Sequence, residues 1–104
     1  MDAIPERDWQ YLRRVQGQLL EALCARINGE ASRIMANHYL KEHEKFLQLY
    51  AHVVTQNAVV ADCFDDWRRS NIFLKLLLLR ENRLLTDEHL SKLSAETQRR
   101  LNTV

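Results

Sequence analysis

The sequence predicts an all-α protein. It reads as a compact bundle of about four to five helices: a long N-terminal helix, a buried central helix and two short C-terminal helices, in one domain over residues 1–104. Three observations carry this. One proline and two glycines leave almost the whole chain without the residues that punctuate turns and strands. Apolar residues recur at spacings of three and four, and no two-residue alternation bounded by turn residues appears. Finally, Ile72-Phe73-Leu74-Lys75-Leu76-Leu77-Leu78-Leu79 is apolar at every position but Lys75. A helix apolar all round its axis belongs in the middle of a domain, with the other elements packed around it.

Pro5 suits the first position of a helix, and Glu6 and Asp8 then meet the positive end of its dipole. Trp9, Leu12, Gln16, Leu19, Leu20, Leu23, Ile27, Ala31 and Ile34 form one stripe running to about Asn37. Gly29 lies on the opposite face, so spacing leaves open one long helix or two. Asn37 suits a helix end because Asn tolerates the left-handed conformation. Phe46, Leu49, Tyr50 and Val53 mark a second amphipathic helix, with Glu44, Gln48, His52 and Thr55 turned away. Asn57 is a candidate cap for a third helix, continuing from Ala58 to Arg83 with Val60, Phe64, Trp67, Asn71, Leu74, Leu78 and Leu85 on one face. Thr86 followed by Asp87 and Glu88 opens a short helix with Leu90 and Leu93 inward, and Ser94 caps a last one from Ala95 to about Leu101. Glu96 is spaced to pair with Arg100.

A chain of 104 residues buries about two thirds of its unfolded surface and needs no metal or disulfide to fold. Its 46% hydrophobic and 28% charged residues are ordinary for a globular protein. A formal net charge of +1 supplies no long-range field to gather nucleic acid or acidic lipid. Cys24 and Cys63 form no metal or redox spacing, which points to reduced thiols. The acidic start Met1-Asp2-Ala3-Ile4-Pro5-Glu6-Arg7-Asp8 lacks the basic-then-apolar run of a secretory signal, and the leucine run is too short for a bilayer. A cytoplasmic protein without a membrane segment is expected.

Asp62-Cys63-Phe64-Asp65-Asp66-Trp67-Arg68-Arg69 is the most distinctive polar cluster. Its carboxylates suit a divalent cation, and Trp67 between charges suits a partner. Against this, Asp65 is spaced to pair with Arg69 and Trp67 to enter the core. His38, His43, His52 and His89 match neither Glu-x-x-His nor His-Glu-x-x-His, so no metal or other cofactor is expected. The doublets Arg13-Arg14, Arg68-Arg69 and Arg99-Arg100 each split between two helix faces, about 100° apart per residue. Thr86 to Leu101 resembles a helix-turn-helix, but with only Ser94 between its helical patterns the three- or four-residue turn is missing. Leu20-Glu21-Ala22-Leu23-Cys24-Ala25-Arg26 resembles the Leu-rich first helix, ending in Arg, of the small chorismate mutases. The resemblance spans these seven residues and implies further cations around a dicarboxylate, which find no aligned positions here.

The expected function is therefore protein–protein interaction without catalysis, in a regulatory or adaptor role and with a homodimer as one form. The alternatives are a nucleic-acid-binding regulator and a small helical enzyme acting on an anionic metabolite. The expected contact residues are the seam Trp9, Leu12, Gln16, Leu19 and Leu23, together with Asp65, Asp66, Trp67, Arg68 and Arg69. A first helix of about 32 residues reaches roughly 48 Å, against roughly 24 Å for a 16-residue second helix, so part of the seam needs another partner. Either the third helix or a second chain supplies it.

Overall fold

The computed structural model describes residues 3–104; Met1 and Asp2, at the acidic start, lie outside the described residues. It contains five helices: α1 (Glu6–Ala36), α2 (Glu42–Phe64), α3 (Ile72–Glu81), α4 (Asp87–Ser91) and α5 (Ala95–Asn102), with no strand among the described residues. The all-α reading with a long N-terminal helix holds.

α1 runs unbroken through Gly29, whose missing side chain meets nothing within 4 Å. Its C-cap, Asn37, is extended (φ −75°) and not left-handed as expected; its side chain instead accepts from the Tyr39 amide at 3.0 Å and shapes the turn. Lys41 then opens α2 with its amide donating to Glu44 at 2.8 Å. α2 returns antiparallel along α1, and His52 Nε2 lies 2.9 Å from the Ile27 carbonyl.

The predicted third helix is corrected. α2 passes straight through Asn57 and ends at Phe64, and α3 starts only at Ile72. Polar side chains that compete with the helix for backbone bonds make the break. Asn71 accepts from the Arg68 amide at 2.9 Å and donates to the Asp66 carbonyl at 2.8 Å, while Asp66 takes the left-handed conformation (φ 58°). The last carbonyls of α2 still find donors: Trp67 Nε1 reaches Cys63 at 2.8 Å, and Lys75 Nζ reaches Asp62 at 2.7 Å. Lys75 can thus sit buried in an apolar helix, its ammonium at the negative end of α2.

Ile72, Leu76 and Leu79 are fully buried and Leu77 and Leu78 partly so, as expected for a central helix, but Leu74 faces solvent. α3 closes in a Schellman turn: the Leu84 amide bonds Leu79 O and the Arg83 amide bonds Arg80 O, both at 2.9 Å, with Arg83 left-handed at φ 58°. Arg26 reaches the Asn82 and Arg83 carbonyls at 2.8 Å each and ties this end to α1. Thr86 and Ser94 cap α4 and α5 as expected.

The core gathers at one end. Leu12, Leu19, Leu23, Cys63, Phe64, Ile72, Leu76, Leu79, Leu84, Leu85, Leu93 and Leu101 pack together, whereas from Cys24 to Asp62 no side chain is fully buried. The α1–α2 hairpin therefore projects as an arm. The molecule measures 52 × 25 × 24 Å with a radius of gyration of 16.7 Å, against about 13 Å for a compact chain of this length. Elongation replaces the expected compactness because α3, about 15 Å long, covers only part of α2, about 34 Å long.

Candidate functional site

The predicted seam lies inside the chain. Leu12, Leu19 and Leu23 are buried in the core, Trp9 and Gln16 are half-buried, and the α3–α5 end covers them. Leu12, Leu19 and Leu23 are spent on the core of their own chain, which corrects the seam as a contact surface: the rival intramolecular cover takes its three leucines. The Asp65–Arg69 group also disperses. Arg68 pairs with Asp66 at 2.8 Å, while Arg69 leaves its neighbours to bind Glu6 and lie over the Trp9 ring at 5.9 Å. Trp67 is half-buried, stacked on Phe64 with centroids 6.1 Å apart. The cluster is chiefly a chain reversal. Hydrogen bonding from Gln10, then Arg69, holds the Glu6 carboxyl below its usual range.

His89, Cys63 and Arg100 each have a place in the fold. His89 Nδ1 accepts from the Thr86 amide at 3.0 Å within the α4 cap. Burial, with Asp62 adding to it, pushes the Cys63 thiol above its ordinary pKa and keeps it protonated, the opposite of an activated nucleophile. Arg100 lies 4.0 Å over the Phe73 ring and donates to Ala3 O. Three residues, Lys92 to Ser94, separate α4 from α5, so the turn length expected of a helix-turn-helix is present after all; α4 itself has only five residues. Among the described residues no group of three His, Cys, Asp or Glu is placed to hold a metal ion, and no helix is long and apolar enough to cross a membrane.

Two surface features remain. Beside the N-terminal half of α1, an open groove of about 710 Å³ is lined by Arg7, Gln10, Tyr11, Arg14, Ser91 and Lys92. Burial, with Glu88 adding to it and Arg14 opposing it, raises the Tyr11 pKa.

The second feature is the arm. Lys45, Leu49, His52, Gln56 and Val59 on α2 turn toward α1, and this inner face is mixed in polarity. Centred roughly 140° around the helix from that face, Phe46, Leu47, Tyr50, Val53 and Val54 stand 51–64% exposed. Met35, in the last turn of α1, and Tyr39, in the turn that follows, are exposed as well. From Phe46 to Ala61 the chain has no Asp, Glu, Lys or Arg.

Protein-family models, curated proteins and solved structures offer no match.

Sequence reasoning missed this face because it assigned Phe46, Tyr50 and Val53 to a single inward stripe. The signal that separates two stripes is the density of apolar residues: Phe46, Leu47, Leu49, Tyr50, Val53 and Val54 are more than one face of a helix holds.

Proposed function

We propose that this chain is a cytoplasmic protein-binding module of regulatory or adaptor type, without catalysis, and that its outer α2 face is the docking surface. One observation carries the reading: an arm without a fully buried side chain presents five large apolar residues on a helix stretch free of formal charge. Most helical stability in water comes from packing an apolar face, and charge depletion with aromatic enrichment is the compositional mark of interface cores. The face therefore has both a reason to be covered and the composition of a covered surface. Two free thiols, one buried, suit a reducing compartment.

The test is capture from the native cell followed by mass spectrometry, using the intact chain and Phe46→Glu/Val53→Glu as baits, with Leu74→Glu as an apolar-to-charged control elsewhere. Partners retained by wild type and the control but lost by the double variant support the reading. Partners unaffected by the double variant would overturn it. A second reading, nucleic-acid or other anion binding, draws support from Arg7, Arg14 and Lys92 in the groove beside α1. Nucleic-acid mobility shifts that survive moderate salt and disappear in Arg14→Glu would favour it over the arm.

A further inference from the structure

We infer that the occupant of the outer α2 face is a second copy of this chain, its α2 running antiparallel to the first about a two-fold axis at Tyr50, so that the two arms form a four-helix bundle. The inference rests on the reading of that face as a docking surface and adds its partner and geometry.

Spacing supplies the first argument. Phe46, Tyr50, Val53 and Asn57 follow a four-three-four alternation, the pattern of a helix–helix seam, with Leu47 and Val54 beside it. The apolar positions 46, 47, 50, 53 and 54 read the same in both directions about residue 50. A two-fold contact requires this, because residue i of one copy meets residue j of the other wherever j meets i. The operation sets Phe46 against Val54, Leu47 against Val53 and Tyr50 against its own counterpart. It also sets His43 against Asn57, placing a polar pair at either end of the apolar run.

Charge supplies the second. A partner of opposite charge would be matched by a charged surface, but no formal charge occurs from Phe46 to Ala61. Packing such a stretch on its own copy brings no like charges together.

Area supplies the third. The chain exposes 7000 Å², whereas a compact monomer of 12.3 kDa exposes about 6,100 Å². The excess of about 900 Å² is comparable to the roughly 800 Å² that each partner buries in a standard stable interface. Phe64 continues the same stripe and is buried where Trp67 stacks on it, so this line of α2 is already core at its proximal end. The second copy extends that cover along the arm.

Sedimentation equilibrium tests the association, and engineered cysteines in a Cys24→Ser background test the geometry. Wild type is expected to sediment as a dimer, and Val53→Glu or Leu47→Glu, each checked for a helical spectrum, to associate on the order of 100-fold more weakly. Under mild oxidation a mixture of Phe46→Cys and Val54→Cys chains should cross-link. Phe46→Cys alone should not, because the two copies of residue 46 stand roughly 12 Å apart along the axis, beyond disulfide reach. A wild-type chain that stays monomeric at high concentration overturns self-pairing, as does cross-linking of Phe46→Cys alone without the mixed pair. If the chain is monomeric and Phe46→Glu/Val53→Glu still abolishes capture of a different protein, only the self-pairing fails. If neither association nor capture depends on this face, both readings fail.

Discussion

Asp8 is the polar group on which the union of the two chain ends depends most. It is fully buried in the first turn of α1, where its carboxylate accepts from the Ser94 amide at 2.8 Å and from the Ser94 and Thr97 hydroxyls at 2.6 Å each. It thereby fixes α1 to the N-terminus of α5, 86 residues away, where the helix dipole also favours a negative charge. Asp8→Ala removes all three bonds. The hydroxyls retain a partner in each other, 3.2 Å apart, but the Ser94 amide is left without its acceptor. One unsatisfied donor and about one charge-assisted bond, less the relief of burying a carboxylate, amount to about 3 kcal/mol. At about 2.1 cal/mol/K per residue this lowers the melting temperature by roughly 14 °C. Urea and thermal unfolding followed by circular dichroism at 222 nm measure both quantities. A loss below about 1 kcal/mol would refute the reasoning by showing that the α1–α5 contact stands without this carboxylate.

Other substitutions test separate parts of the account. Leu12→Ala, at a fully buried position, should cost about 2–5 kcal/mol in denaturant unfolding without changing association, because Leu12 belongs to the intramolecular core; a changed oligomeric state with unchanged stability would restore the first-helix seam as an interface. Arg83→Gly should raise stability by up to about 1 kcal/mol by relieving a left-handed non-glycine residue, while Arg26 keeps its bond to the residue 83 carbonyl; any loss of stability would show that the Arg83 side chain outweighs the strain. The lowered pKa of Glu6 means that its contribution is present above its unfolded pKa and lost as pH falls through the folded value. Glu6→Gln should therefore lessen the acid sensitivity of unfolding below the ordinary glutamate range, and an unchanged pH profile would contradict the pairing with Gln10 and Arg69.

The helical class was legible because it rests on local signals. Few breakers, three-four periodicity and two cap residues, Thr86 and Ser94, identify helices without knowledge of what packs where. The break between Phe64 and Ile72 was not, because it uses no glycine or proline: Asp66 accepts a left-handed backbone and Asn71 satisfies the turn through its side chain. The partner of the Trp9–Leu23 stripe was also hidden, since spacing shows that a stripe needs cover and never which element supplies it. Once the short helices close over the N-terminal half of α1, the uncovered surface moves to the far half of α2. The general expectation, more apolar helix than one chain hides, survives with a different address.

Association through the outer face of α2, with the first-helix seam untouched, can be read residue by residue from amide chemical shifts across a protein dilution series. Concentration-dependent shifts are expected at Phe46, Leu47, Tyr50, Val53 and Val54, with the Trp9 indole and the Leu12 and Leu19 amides unchanged. Shifts centred on Trp9 to Leu23, or a spectrum that does not change at any concentration, would contradict it.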